Sequence, residues 1–425
     1  MNSKGIHTNK AFVLLWSGNV VSLTGFYGIR IAYPLLALSV TGSVTLMGWA
    51  GFVITVPSLI FQIPAGIAAD YWDRRRTLLI CQLSGLTAAG VAALVVVLRV
   101  PNPGPFLIVA AFVEGTAYVF FTLSELGAVR DIVDSEQRPA AFSLFEAEQP
   151  IGIVLGRALG ATTFGMARWL PFVADAVSYL FCLATLSAIR GNFAARKPEG
   201  DRPRGGRRRA AWEGVRIVWA EPFLRASTVI SGLSNMVIQV VILLLIFELS
   251  TTGGPAWTVG VVLGAAGVGG VLGSFAASGL TTRFSAHAVY RGSLWVWTAL
   301  LVPIAVSSNP AIMAVSWCGV GAVGTVVNVA RTLFRVRVIP EDTLGRAVGA
   351  GNLVTDGAVA LGALLAGYLL TALGAAATGW AVVGAMLILA IGGGLVGRRR
   401  QTPLAEVPGG IERSSARDAS LICRR

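Results

Sequence analysis

Twelve apolar runs, each about the length that a helix needs to cross a ~30 Å hydrocarbon layer, alternate with polar connections along the chain. They fall at 11 to 38, 45 to 70, 77 to 98, 105 to 128, 144 to 166, 170 to 189, 224 to 249, 257 to 280, 289 to 307, 310 to 332, 348 to 371 and 378 to 397. Pro34, Pro57, Pro64, Pro150, Gly264, Gly267, Gly269 and Gly270 lie inside these runs. Neighbouring helices can re-satisfy the backbone groups freed at such positions, so they mark kinks and close packing. The predicted fold class is all-α: a polytopic membrane protein with twelve transmembrane helices in two six-helix bundles. The longest polar stretch, Arg190 to Arg225, divides the runs six and six. It sets the expected domains at 1–190, a basic cytoplasmic linker at 191–222, a second bundle at 223–400 and a disordered cytoplasmic tail at 401–425.

Composition supports lipid as the outer solvent. Of 425 residues, 55% are hydrophobic and 13% charged, against about 25% charged in a soluble domain. A chain this apolar cannot cover soluble cores with polar surface, and it has no reason to stay solvated as a disordered one. Cys81, Cys182, Cys318 and Cys423 are far apart and lack metal or redox spacing, so no metal and no cofactor is expected. Met1 to Lys10 is polar without a cleavable apolar core, so the first run is expected to be retained as a span.

The net charge of +13 is sorted by side. When connections are assigned alternately to two faces, every one of the 34 Lys and Arg residues except Arg99, Arg168, Arg30 and Arg157 falls on the face that carries the N-terminus. This asymmetry is the positive-inside rule, and it predicts both termini in the cytoplasm with no nucleic-acid partner. The strong excess of Arg over Lys suggests GC-rich bacterial coding, for which the inner membrane is the natural home. Arg202 to Arg209 reads as a solvated topology anchor, with anionic-lipid binding as the alternative.

The halves echo each other. Val129-Arg130-Asp131-Ile132-Val133-Asp134 follows span 4, and Val336-Arg337-Val338-Ile339-Pro340-Glu341 follows span 10. Such repetition is the architecture of a two-bundle secondary transporter with its substrate site between the bundles. After span 2 stands Gly66-Ile67-Ala68-Ala69-Asp70-Tyr71-Trp72-Asp73-Arg74-Arg75-Arg76, which resembles the G-x-L-A-D-R-x-G-R-R motif of the major facilitator superfamily. Further stretches resemble that superfamily's enterobactin-exporter and macrolide-efflux branch: Leu38 to Ser43, Pro171 to Tyr179, Trp212 to Trp219 and Val338 to Arg346. The resemblance implies export of a drug, antibiotic or siderophore. It also implies a cytoplasmic gate at Gly66, Asp70, Arg74, Arg75 and Arg76. Tyr71 and Asp73 depart from the motif, and the equivalent stretch after span 8 keeps Arg283 without an acid.

Charges inside spans are expensive, which makes them candidates for function. By depth, Arg30, Glu114 and Arg157 share one layer, either as a structural ion-pair cluster or with Glu114 as a protonation or substrate site. Asp356 on span 11 is a lone acid suited to a packing bond, a gate contact or a proton site. Glu125, Glu146 and Glu148 form a layer near the cytoplasmic face, read as gate carboxylates paired with Arg130 and Arg138. Asp175 reads as structural. Ala111-Phe112-Val113-Glu114-Gly115 lacks the Arg of the superfamily's R-x-x-Q-G motif, and Gly156-Arg157-Ala158-Leu159-Gly160 carries Arg157 where its G-P-x-x-G-G motif has Pro. A swapped pairing of Arg157 with Glu114 would account for both changes. Asn19, Tyr27, Gln62, Tyr118, Asn235, Gln239, Asn328 and Asn352, with Trp16 and Phe26, are the candidate cavity residues. Interhelical glue is the alternative for most of them. Trp169, Trp295, Trp297 and Trp380 read mostly as interfacial belt.

The expected function is that of a proton-driven antiporter of a small amphiphile that works as a monomer, with export the direction that the resemblance implies. An importer or an uncoupled facilitator is the alternative. A polytopic enzyme is disfavoured, because the histidines, His7 and His287, lie outside the spans and no catalytic constellation stands in them. No G-x-x-x-x-G-K-[ST] loop is present, so ATP is not the direct energy source.

Overall fold

The computed structural model describes residues 9–134, 136–189, 216, 218–252, 255, 257–338 and 341–396. The described residues form α1 (Lys10–Thr41), α2 (Val44–Tyr71), α3 (Arg74–Val97), α4 (Gly104–Ile132), α5 (Arg138–Met166), α6 (Leu170–Ala188), α7 (Pro222–Thr251), α8 (Trp257–Arg283), α9 (Ala286–Val306) and α10 (Pro310–Val338). A last run, Glu341–Val396, is broken at Gly374, whose φ of 74° departs from the helix. It therefore supplies two spans, α11 (341–373) and α12 (375–396). Most of the linker expected at 191–222, and the tail at 401–425, lie outside the described residues.

Polar side chains set the helix ends. Asn9 accepts a hydrogen bond from the Phe12 amide at 3.1 Å, and Asp73 and Ser285 do the same for α3 and α9. Each satisfies one of the amides left bare at a helix start. At the α1–α2 turn, Gly42 takes a left-handed φ of 67° and closes onto the Leu38 carbonyl, and Ser43 at once caps α2. Helix α5 starts at Arg138, six residues before the predicted 144, with a proline in its first turn. There a missing N–H costs nothing.

Apolar residues face outward as well as inward. Phe275, Val315 and Ile388 are more than 70% exposed, a surface suited to hydrocarbon. Among the described residues, ten helical runs are long and apolar enough to span a membrane. The run 349–393 counts among them as one, and α5, the helix that carries Glu146, Glu148 and Arg157, is not among them.

Helices α1 to α6 pack together, as do α7 to α12, and the two groups meet where α2 crosses α11 and α5 crosses α8. Glycines allow both crossings. A methyl added to Gly48 would stand 2.8 Å from the Ala363 carbonyl oxygen, and one on Gly260 would stand 2.8 Å from the Ala158 carbonyl oxygen. Thr45 Oγ1 and Thr371 Oγ1 are hydrogen-bonded at 2.9 Å. These approaches all lie in the half of the molecule that holds the α1–α2 turn, here the far face. At the opposite, linker face, Gly66, Gly279 and Gly349 have open space where a side chain would be.

Candidate functional site

Helix α1 presents two chemically different faces. Tyr27, Arg30, Ile31 and Pro34, at helical spacing, look across to α7 and line a small cavity with Arg157, Gln239 and Ile242. The Arg30 guanidinium lies 5.4 Å from the Tyr27 ring centroid and 6.0 Å from that of Phe26, which holds the cation against aromatic faces. Arg157 reaches this place because Gly156 and Gly160 bring α5 onto Gly28 of α1. A methyl on Gly28 would lie 3.3 Å from the Gly156 carbonyl oxygen and 3.4 Å from the Gly160 Cα. Arg157 then borders a second, larger cavity of about 170 Å3, whose wall holds Ser234, Asn235, Trp297, Trp317, Asn328 and Arg331. Trp317 Nε1, Arg331 Nε and Ser234 Oγ are buried there without a hydrogen-bond partner. Such groups need an explanation in a folded protein. Asp356 stands within electrostatic reach of Arg30 and Arg331.

The other face of α1 turns into its own bundle. Asn19 Nδ2 donates to Glu125 Oε2 of α4 at 2.6 Å and to Glu148 Oε2 of α5, and all three residues are at most 2% exposed. Higher up, Tyr33 donates its hydroxyl to Glu114 Oε1 of α4 at 3.2 Å. Glu114 also feels the charge of Asp175 of α6, and both acids are fully buried. Phe172 fixes the Tyr33 ring edge-on at 5.0 Å between centroids. Tyr33→Phe keeps that contact and removes the donor. We expect a loss of about 1–3 kcal/mol, read as a lower thermal unfolding midpoint in detergent; an unchanged midpoint would mean that the hydroxyl contributes nothing to keeping Glu114 buried.

Several predicted groupings change. The single layer of Arg30, Glu114 and Arg157 does not form: the two arginines face the other bundle and Glu114 faces Tyr33 and Asp175, so the swapped Arg157–Glu114 pairing falls. Glu125 and Glu148 are not gate partners of Arg130 and Arg138, because Arg130 lies over the Phe142 ring and Arg138 donates to the Arg130 carbonyl. The Glu146 and Asp70 side chains lie outside the described residues. Asn19 belongs to the acid pair and not to the central cavity. Tyr118 stacks on Phe26 at 4.2 Å and lines a third, small cavity inside the first bundle. Gln62 and Asn352 line none of these three cavities. Trp297 is buried and donates to the Val320 carbonyl at 3.0 Å, which removes it from the belt, whereas Trp169, Trp295 and Trp380 are exposed.

At the linker face, Arg74 forms an ion pair with Asp131 and also donates to the Ala69 carbonyl at 3.3 Å. Arg75 reaches the Ser187 carbonyl at 3.4 Å. Trp72 stacks on Phe120 with centroids 6.0 Å apart. These contacts tie the α2–α3 loop to α4 and α6 of its own bundle. Sequence reasoning missed Trp317, Ser231, Ser234 and Arg331 as wall residues. Arg331 carried a usable signal, a cation just inside the expected end of span 10.

Residues 15–286 match the family described as Major Facilitator Superfamily. The chain belongs to that superfamily. It is thus a multi-pass membrane transporter and not an enzyme. This superfamily member is 25% identical over 390 residues to the multidrug efflux pump Tap of Mycolicibacterium fortuitum, a match that covers 89% of this chain and 93% of that protein. Its fold is similar to that of a point mutant of the nucleoside transporter NupG, with TM-score 0.71, 14% identity and coverage of 92% and 100% of the two chains. It is equally similar to a bacterial homologue of the lysosomal transporter Spinster in an inward-facing, unoccupied conformation, with TM-score 0.71, 14% identity and coverage of 92% and 98%.

Proposed function

We propose that this transporter exports a small amphiphile from the cytoplasm across the bacterial inner membrane, driven by inward proton movement, with both termini cytoplasmic. The observation that carries this reading is the separation of chemistries. Cations and unpartnered donors line the space between the bundles, while the two buried acid pairs, Glu125 with Glu148 and Glu114 with Asp175, lie inside the first bundle. The central walls combine apolar Ile242, Leu243, Val320 and Val327 with Arg30, Arg157, Arg331, Asn235 and Asn328. Such walls suit a molecule with an apolar body and an acceptor-rich or acidic group. Likeness to a multidrug efflux pump favours export over import. Close contact between the bundles at the far face fits a state that takes up substrate from the cytoplasm.

The test uses everted vesicles from an efflux-deficient bacterial strain that expresses the protein, with dansyl-labelled acidic, neutral and cationic amphiphiles as probes. We expect accumulation driven by an acid-inside gradient, abolished by a protonophore and strongest for the acidic probe. Accumulation indifferent to the protonophore would make the protein a facilitator. Net uptake by whole cells would make it an importer. Either result would overturn the proposal.

A further inference from the structure

We propose that the coupling proton is held and passed inside the first bundle, along a column of buried acids on α4, and not at Asp356 of α11. This assignment deepens the proton-driven reading above and rests on it. Glu114 and Glu125 are eleven residues apart, close to three full turns, so they share one stripe of α4 about 16 Å apart. Ala117, Tyr118 and Phe121 occupy the stripe between them and line a cavity of about 20 Å3 with Asn19, Ser22, Gln82 and Tyr179. That volume accommodates one water. Both ends of the stripe are acid pairs: Glu125 with Glu148, and Glu114 with Asp175.

The lower pair sets the chemistry. Glu125 Oε2 and Glu148 Oε2 both accept from the one amide nitrogen of Asn19, which holds the two buried carboxyls side by side. Two buried carboxylates held on one nitrogen repel, and a proton on one member relieves that repulsion and gives it a hydrogen to donate. The pair is thus built to take up one proton, and a second proton makes it neutral. In the upper pair Glu114 and Asp175 are fully buried and within electrostatic reach of each other, and a proton relieves their repulsion in the same way. Transfer along the column breaks one O–H bond at a carboxyl and forms another at the next acceptor, through water in the cavity and the hydroxyl of Tyr179. No electron moves and no co-reactant is needed.

The groups facing this column are named from each packed helix. Helix α1 supplies Asn19 and Tyr33, and α3 supplies Cys81 and Gln82, whose Oε1 accepts from Ser22. Helix α2 presents apolar Pro57 and Phe61. Glu148 comes from α5, and Asp175, Tyr179 and Cys182 come from α6. Helix α1 is the shared part. Asn19 touches the lower acid pair and Tyr33 the upper one, while Arg30 on the same helix faces the central cavity. Gln149 Nε2 donates to the Tyr118 hydroxyl at 3.2 Å, and that hydroxyl meets the Tyr27 hydroxyl at 3.2 Å beneath Arg30. Proton occupancy of the acids thus acts on the helix that presents a cation to the substrate.

The test compares two modes of transport of the dansyl acid in proteoliposomes: accumulation driven by a pH gradient, and exchange without one. For Glu125→Gln and Glu148→Gln we expect gradient-driven accumulation to fall about tenfold or more while exchange persists, and for Asp356→Asn we expect the gradient response to survive. The assignment is overturned if both glutamine variants remain gradient-driven, or if Asp356→Asn alone uncouples. A wild-type protein that exchanges but never responds to the gradient removes the proton-driven reading itself, and this assignment with it. Should a variant fail to fold, infrared spectra of the wild-type protein decide. The assignment requires a protonated carboxyl band at neutral pH that shifts on titration, and the absence of such a band refutes it.

Discussion

Arg157→Gln should reduce transport of an acidic amphiphile at least tenfold while leaving the folded protein as stable as the wild type, or more so. Arg157 borders both spaces between the bundles, and its guanidinium stands within electrostatic reach of Arg30. Two like charges held together repel, so removal of one relieves the protein. A bound anion reverses that sign, since it accepts charge-assisted hydrogen bonds worth about 1.5–3 kcal/mol each. Loss of one such bond is a factor of roughly ten to a hundred in affinity. Arg157→Lys keeps the charge but not the planar fork, so it should fall between wild type and Arg157→Gln. The readouts are probe accumulation in everted vesicles and the unfolding midpoint of the purified variants. A midpoint that drops in step with activity would assign Arg157 to packing and not to binding.

Depth in the membrane was legible in the sequence, whereas direction around each helix was not. Lipid demands long apolar runs with polar ends, so the twelve spans follow from local chemistry. Counting along a span places Arg30, Glu114 and Arg157 at similar depths, yet pairing depends on which way each side chain points. Arg30 looks out of the bundle and Glu114 looks in. The angular rule of about 100° per residue does recover part of the site. Arg130 stands five residues after Glu125, about 140° round α4, and for that reason it cannot meet that acid. Glu125 and Glu114 return to the same direction after eleven residues. What the rule does not supply is the neighbour. Only tertiary packing brings Asn19 between Glu125 and Glu148, or sets Trp317 and Arg331 with unpartnered N–H groups on one wall.

Cross-linking Thr45→Cys to Thr371→Cys should abolish transport, and a reductant should restore it. The two threonine hydroxyls face each other at 2.9 Å across the α2–α11 crossing, at an exposed position that an oxidant can reach. Cysteine sulfur takes the place of each hydroxyl, within the range that a disulfide closes by a small rotation. The bond ties the bundles where Gly48 and Gly367 already touch, and it holds the far face shut. Alternating access requires the bundles to rock about the central site, so a tether at this crossing blocks the outward-open state. Substrate binding from the linker face persists, because Arg157 and Arg331 are untouched. The native thiols Cys81 and Cys182 are buried and Cys318 is half-buried, and Cys423 is replaced by Ser in all variants, so each single-cysteine variant serves as the control for oxidation. The measurement is probe efflux before oxidation, after oxidation and after reduction, with cross-linking followed by mobility on a gel after cleavage in the linker. Full transport by the cross-linked protein would show that the far face need not open at α2 and α11, and the exit path would then have to lie at the α5–α8 crossing.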